Sequence, residues 1–180
     1  GGYEAFNVAA ASNGTIIQRC RVLGGGFWIA RIGGPNMTFR NNFVYGGSHY
    51  GVSCGVSGSS LATTNLKIHN NSIYIAHVAA STQYCSLRWY SDPSVNSEVL
   101  NNAIYEFHPA AGSGYVMWGS GALRPTVMNN NVFHMVNGIS LVYSSAVNHT
   151  LATWQALGFD LASVEANPNF LNIASSPPDL

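Results

Sequence analysis

The sequence predicts an all-β chain: a right-handed parallel β-helix of about six coils with three short strands in each, closed by a short C-terminal helix and an irregular tail. Three observations predict it. A short apolar unit broken by a pair of asparagines recurs along the chain. A second class of strand, rich in aromatic and β-branched residues, lies between the copies. The chain is also 47% hydrophobic and only 8% charged, so it can fill a long apolar core.

The recurring unit is clearest at Ile68-His69-Asn70-Asn71-Ser72-Ile73-Tyr74. Phe39-Arg40-Asn41-Asn42-Phe43-Val44-Tyr45 precedes it, and Leu100-Asn101-Asn102-Ala103-Ile104-Tyr105 and Met128-Asn129-Asn130-Asn131-Val132-Phe133 follow. A degenerate first copy, Ile17-Gln18-Arg19-Cys20-Arg21-Val22-Leu23, has Cys20 at the second Asn position. Marked by their β-branched residue, the copies sit at Val22, Val44, Ile73, Ile104 and Val132, steps of 22, 29, 31 and 28 residues. A unit at that interval signals a solenoid. Each copy reads as strand, corner, strand, because Asn tolerates the left-handed backbone of a sharp corner. Stacked coils would let equivalent Asn side chains hydrogen-bond up and down, a ladder that Cys20 interrupts. Val44, Ile73, Ile104 and Val132 should form one inward row, flanked by Phe39, Ile68 and Leu100.

The second class of strand comprises Tyr3–Val8, Phe27–Ile32, Tyr50–Cys54, Tyr84–Trp89, Tyr115–Trp118 and Ile139–Tyr143. Each follows a longer loop, several of them Gly- and Ser-rich. The coils occupy residues 1–147. Residues 148–180 should be the capping helix and tail of the same domain. There Thr150 is the expected N-cap, Gly158 the stop, and Leu151, Trp154 and Leu157 one face. A solenoid needs such an end cap. The first residues read as the middle of a coil, so the chain is expected to be part of a longer protein. An open first coil would then meet flanking coils or associate end to end.

Zero formal net charge gives no basic field for nucleic acid. No apolar run approaches a membrane span. Three Cys make no disulfide framework, and buried thiols are expected at Cys54 and Cys85.

The Asn-corner coils are followed by Leu151-Ala152-Thr153-Trp154-Gln155-Ala156-Leu157-Gly158-Phe159-Asp160, then Ser163 and Asn167-Pro168-Asn169-Phe170. This succession resembles the C-terminal half of pectate-lyase-like right-handed β-helix proteins, with Asn167 where the family commonly has Asp. The resemblance implies a secreted or cell-surface protein and a polysaccharide partner, with substrate lying along the sheet of strands that follow the long loops. That sheet would present Trp28, Arg31, Tyr84, Arg88, Trp89 and Trp118. Arg pairs bidentately with carboxylates, and aromatic faces stack on sugars. Arg31 and Arg88, two coils apart, would stand about 10 Å from each other, a spacing suited to successive uronate units.

Equal offsets from the β-branched mark should also stack. His77 and His108 share one offset, and Glu106 and His134 share another, so His134 is expected beside Glu106 with the other two His at the adjoining loop. A His–carboxylate pair can act as general acid or base near neutral pH. The same offset aligns Glu106 with Ile75, which faces inward, so Glu106 is either buried against His134 or out of register. No compact ligand motif marks a metal site, and no cofactor is expected; the seven Asp and Glu are scattered, which does not support calcium. Nor do they make the paired carboxylates of a glycoside hydrolase. Lys67 reads as a surface lysine.

The resulting expectation is a carbohydrate-active protein, a polysaccharide lyase or relative acting on uronate glycans. Arg88 or Arg31 would neutralise the carboxylate. His77 or His108, with Tyr84 or Tyr90, would take the proton. The alternative is a non-catalytic glycan-binding or structural module of a larger extracellular protein.

Overall fold

In the computed structural model the described residues are 4–8, 13–24, 26–46, 49–55, 63–77, 84–90, 96–109, 114–119, 125–137 and 139–170. The expected strands at Tyr3–Val8 and Phe27–Ile32 are observed from Glu4 and Trp28; Tyr3 lies outside the described residues.

Taken in chain order, β1 (Glu4–Val8) leads to β2 (Ile16–Gln18), β3 (Arg21–Gly24) and β4 (Trp28–Ile32). The same triple recurs as β5 (Thr38–Arg40), β6 (Phe43–Gly46) and β7 (Tyr50–Cys54). It returns as β8 (Lys67–His69), β9 (Ser72–Ala76) and β10 (Cys85–Trp89), and then as β11 (Glu98–Leu100), β12 (Ala103–Phe107) and β13 (Tyr115–Gly119). The last full set is β14 (Val127–Asn129), β15 (Val132–Val136) and β16 (Ser140–Ser144). β17 (Val147–His149), α1 (Leu151–Ala156) and β18 (Val164–Glu165) close the described chain.

Each member of a triple joins a different sheet. Sheet A orders β1-β4-β7-β10-β13-β16-β17, sheet B β14-β11-β8-β5-β2, and sheet C β18-β15-β12-β9-β6-β3. Every pairing is parallel except β16 with β17, where the chain turns back on itself. The chain is therefore all-β, with three parallel sheets visited in a fixed order, an arrangement consistent with a β-helix.

The corners explain the asparagines. Asn41, Asn70, Asn101 and Asn130 occupy the left-handed region (φ 53–57°), and Arg19 does so in the first copy (φ 57°). The next residue turns inward. Asn42, Asn71, Asn102 and Asn131 are buried, and the Nδ2 of each of the first three donates to the Asn Oδ1 one rung on, at 3.2, 3.0 and 3.1 Å. The same Oδ1 atoms accept backbone N–H groups of the preceding rung at 2.9–3.0 Å. At Cys20 only the backbone bond to Asn42 Oδ1 remains (3.0 Å). A second ladder, not anticipated, runs along the other edge of sheet B: Asn65 donates to Asn36 and Asn36 to Asn13, at 2.7 and 3.0 Å.

Counting from the left-handed residue sets the inward rows. Three residues on lie Val22, Val44, Ile73, Ile104 and Phe133, paired in register. Two residues before lie Ile17, Phe39, Ile68, Val99 and Met128. All ten are buried, each buried aliphatic contributing about 1.5–3 kcal/mol. Two expected members are thus displaced by one residue: Phe133 takes the place assigned to Val132, and Val99 that assigned to Leu100. For Val132, three consecutive Asn hid which one forms the corner; for Leu100, the adjacent apolar Val99 is the residue two before the corner.

Cys54 lies in the core and Cys85 with the aromatic residues of sheet A; all three cysteines are free thiols. Thr150 caps α1, its hydroxyl accepting the Thr153 N–H while Thr153 Oγ1 accepts the Thr150 N–H. Leu151 and Trp154 face the core, but Leu157 is 57% exposed, because the helix has ended before it. The stretch expected to be irregular instead builds a partial rung. Asp160 is left-handed (φ 56°) and its N–H bonds Met128 O, while Val164 and Ala166 bond Asn131 O and Phe133 O. Asp160 Oδ1 accepts from Asn131 Nδ2 at 3.2 Å and from the Ser163 hydroxyl, so an Asp and a Ser terminate the Asn ladder.

Burial pushes the Asp160 carboxyl above its ordinary range, against the opposing pull of Ser163 and Asn131, and its Oδ2 has no hydrogen-bond partner. A raised carboxyl holds protons better folded than unfolded, so its contribution is full at low pH and is lost as pH rises through the folded value. Asp160→Asn keeps the Oδ1 acceptor and removes the charge. It should stabilise the chain by about 1 kcal/mol at pH 7, with the gain shrinking toward pH 4. Denaturant unfolding at the two pH values checks both the sign and the pH dependence.

Candidate functional site

Sheet A carries an outward face that gathers most of the expected contact residues. Arg31, Ser53, Arg88, Trp118 and Tyr143 align across β4, β7, β10, β13 and β16. Trp28, Tyr50, Cys85 and Tyr115 form a second row. Arg31 and Arg88 stand two strands apart as expected, about 10 Å by strand spacing. Trp89 does not join this face. It is fully buried in the core, because position 89 aligns with the inward Cys54 and Ile32.

Arg88 is the centre of the face. Its guanidinium lies 4.1 Å from the Trp118 ring centroid, 4.2 Å from that of Tyr50 and 4.8 Å from that of Tyr90. Arg31 lies 5.0 Å over Trp28, whose Nε1 donates to the Tyr90 hydroxyl at 3.1 Å. Arg88 is only 9% exposed, yet its Nε and Nη1 have no hydrogen-bond partner. The Ser53 hydroxyl, in register between the two arginines, is likewise without one. Burial drives the Tyr50 phenol up to about 12 despite the opposing Arg88 charge, so its hydroxyl stays protonated. Sequence reading passed over Tyr50 as a site residue; its equivalence to Trp28 across the register was the available signal.

A second constellation lies inside. Glu106 is fully buried at the position of Ile75, as the offset required. His77 Nε2 is 2.5 Å and His108 Nε2 3.0 Å from Glu106 Oε1, and the Ser86 hydroxyl donates to Oε2. Both His side chains are fully enclosed, so neither stands at a loop mouth. His134 is not beside Glu106. It pairs with Tyr105 in register, while Glu106 meets Met135. The misplaced mark at Val132 shifted His134 by one residue, and one residue changes the face. His134 instead ends an exterior stack of Tyr45, Tyr74 and Tyr105 on sheet C, with ring centroids 4.5–5.3 Å apart. Burial raises the Glu106 carboxyl, but adjacent His77 and the hydrogen bonds from His108 and His77 outweigh it, so the carboxyl lies below its ordinary range.

Rings link the two regions. Tyr84 sits 5.3 Å from His77 and 4.2 Å from His49, which stacks on Phe27 at 4.6 Å, beside Trp28. His49 is held low by burial and by His77. Elsewhere, a groove of about 360 Å³ runs along the Asn36–Asn65–Asn96 edge of sheet B. Lys67 and Glu98 face each other there in register, which leaves it without net charge. No described helix is long and apolar enough to cross a membrane.

Compared with known proteins, the chain matches no family model, no curated protein and no solved structure.

Proposed function

We propose that the chain is a right-handed parallel β-helix of the pectate-lyase-like kind whose sheet A face binds a carboxylate-bearing polysaccharide. Parallel strands joined by crossovers are right-handed in nearly all proteins, which supports the handedness. The Asn-corner coils ending in Asp160 and Ser163 support the kinship. One observation carries the function: a guanidinium nine-tenths buried among three aromatic rings, with two nitrogens unpaired. A buried, unpaired cation is costly, and an arriving carboxylate offsets that cost while the rings stack on the sugar.

Electrophoresis through gels containing polygalacturonate or alginate tests this. The protein should be retarded there and not in neutral dextran. Arg88→Ala should weaken retardation at least tenfold, and Arg88→Lys should not restore it, since Lys lacks the planar fork. Equal retardation of wild type and Arg88→Ala would defeat the proposal.

A second reading, elimination at the same face, is favoured by the position of Tyr90, whose ring stacks beside Arg88 and whose oxygen faces Trp28. With Arg88 on the uronate carboxylate, the Tyr90 phenolate would take the C5 proton, the C5–H electron pair would form the C4=C5 double bond as the C4–O bond breaks, and the proton would pass on to the departing O4. An ultraviolet product signal that Tyr90→Phe abolishes without loss of retardation would separate chemistry from binding. His77 and His108, being enclosed, have no place in this step.

A further inference from the structure

The interior His77–Glu106–His108 cluster takes no part in the face just described. We propose that it is a binding site for a divalent first-row transition ion of the zinc class, held between two neighbouring levels of the core. Three donor atoms, one from each residue, lie within 4.8 Å of one another. Among the described residues this is the one group of three or more such ligands that converge. A tetrahedral ion with bonds of about 2.0–2.1 Å sets its donors roughly 3.3 Å apart, within reach of these side chains by small rotations. Two imidazoles and a carboxylate are an established donor set for zinc and its neighbours, and unsuited to calcium.

The surroundings argue for a ligand set rather than incidental polarity. Glu106 stands in a row with Gly46, Ile75 and Met135, otherwise without charge. Ser86 neighbours Leu87 in the strand that faces this row, and its hydroxyl fixes the second carboxylate oxygen, as an outer-shell partner does. The cluster also holds one imidazole more than neutralising a single carboxylate needs. A proton on one His would suffice. Here two rings from successive levels, 4.1 Å apart, both aim Nε2 at the same oxygen. Space is made for the second ring: a Cβ on Gly114 would lie 2.0 Å from His108 Nε2 and Cε1. Neither Nδ1 has a hydrogen-bond partner, so the hydrogen bond to Glu106 at Nε2 is what orients each ring.

The test uses the intact chain refolded with Zn²⁺ or Co²⁺ and then dialysed. Elemental analysis should find one equivalent of metal per chain, and the Co²⁺ form should show visible ligand-field bands. Glu106→Gln should lower Co²⁺ affinity at least tenfold and shift those bands. Ser86→Ala, which removes no ligand, should retain them with about a tenfold weaker affinity. Should Glu106→Gln fail to fold, the wild-type stoichiometry still decides. Less than a tenth of an equivalent of Zn²⁺ or Co²⁺ in folded wild type would overturn the proposal, as would undiminished metal in folded Glu106→Gln.

Discussion

Asn102→Ala should destabilise the chain by about 3–5 kcal/mol, because it orphans more than its own side chain. Asn102 Oδ1 accepts from both the backbone N–H and the Nδ2 of Asn71, at 3.0 Å each. Its Nδ2 donates to Ile68 O, Leu100 O and Asn131 Oδ1. Ala leaves two buried donors on Asn71 without their shared acceptor, each costing about 1–3 kcal/mol. The carbonyls lose one donor each, which costs less, since a carbonyl has a second lone pair. In a chain of this length the loss should lower Tm by roughly 10 °C. The neighbouring corner gives the contrast. Asn101 is exposed with φ 57°, so Asn101→Ala should cost only the left-handed strain, about 1 kcal/mol, and Asn101→Gly almost nothing. Thermal and denaturant unfolding of the three variants checks the ranking. An Asn102→Ala protein within 1 kcal/mol of wild type would mean that the ladder contributes little.

That contrast marks how far the fold was legible. The asparagine pairs could be read because two different demands, a left-handed corner and an inward hydrogen-bonding rung, fall on adjacent residues and both select Asn. The inward rows were legible to within one residue. The residue that fixes the register is the corner, and Asn129-Asn130-Asn131 offers three equivalent candidates for it. Val132 was misplaced for that reason, and Leu100 because two adjacent apolar residues, Val99 and Leu100, precede its corner. The closing rung at Asp160 and Ser163 was invisible as part of the repeat, since its residues do the ladder's work with different side chains. The ladder through Asn13, Asn36 and Asn65 was missed because its members are single asparagines in unlike contexts.

The two sites were legible unequally. Arg31, Arg88 and Trp118 could be assigned to one row by alternation alone. Trp89 was misplaced because the expected face was drawn from residue type, and alternation from an outward Arg88 turns its neighbour inward, as observed. Elsewhere in sheet A alternation is broken, since Ile29 and Ala30, and likewise Val116 and Met117, are adjacent and all in the core. For the interior cluster, the shared offset of His77 and His108 was sound, as was the alignment of Glu106 with Ile75. What sequence could not supply was that Glu106 and the two His converge across a corner, a relation of side-chain direction rather than of spacing.

Gly114 offers the sharpest probe of that convergence. Its backbone is left-handed (φ +88°), and a Cβ there would stand 2.0 Å from two atoms of the His108 ring and 2.6 Å from a third. Gly114→Ala therefore carries two costs. One is conformational, about 1–2 kcal/mol for a side chain at positive φ. The other is steric, and it cannot be relieved cheaply. His108 is enclosed and bound to Glu106, and its neighbour His77 lies 4.1 Å away, centroid to centroid. Moving the ring removes one of three donors from a buried carboxylate, so the total should reach about 3 kcal/mol or more. The double variant separates the costs. With His108→Ala the steric term vanishes and only the conformational one remains, so the two substitutions together should be less destabilising than their sum by 1 kcal/mol or more. Denaturant unfolding of both single variants and the double variant measures this coupling. Strict additivity would mean that the glycine serves the turn alone and that the ring does not depend on the space it leaves.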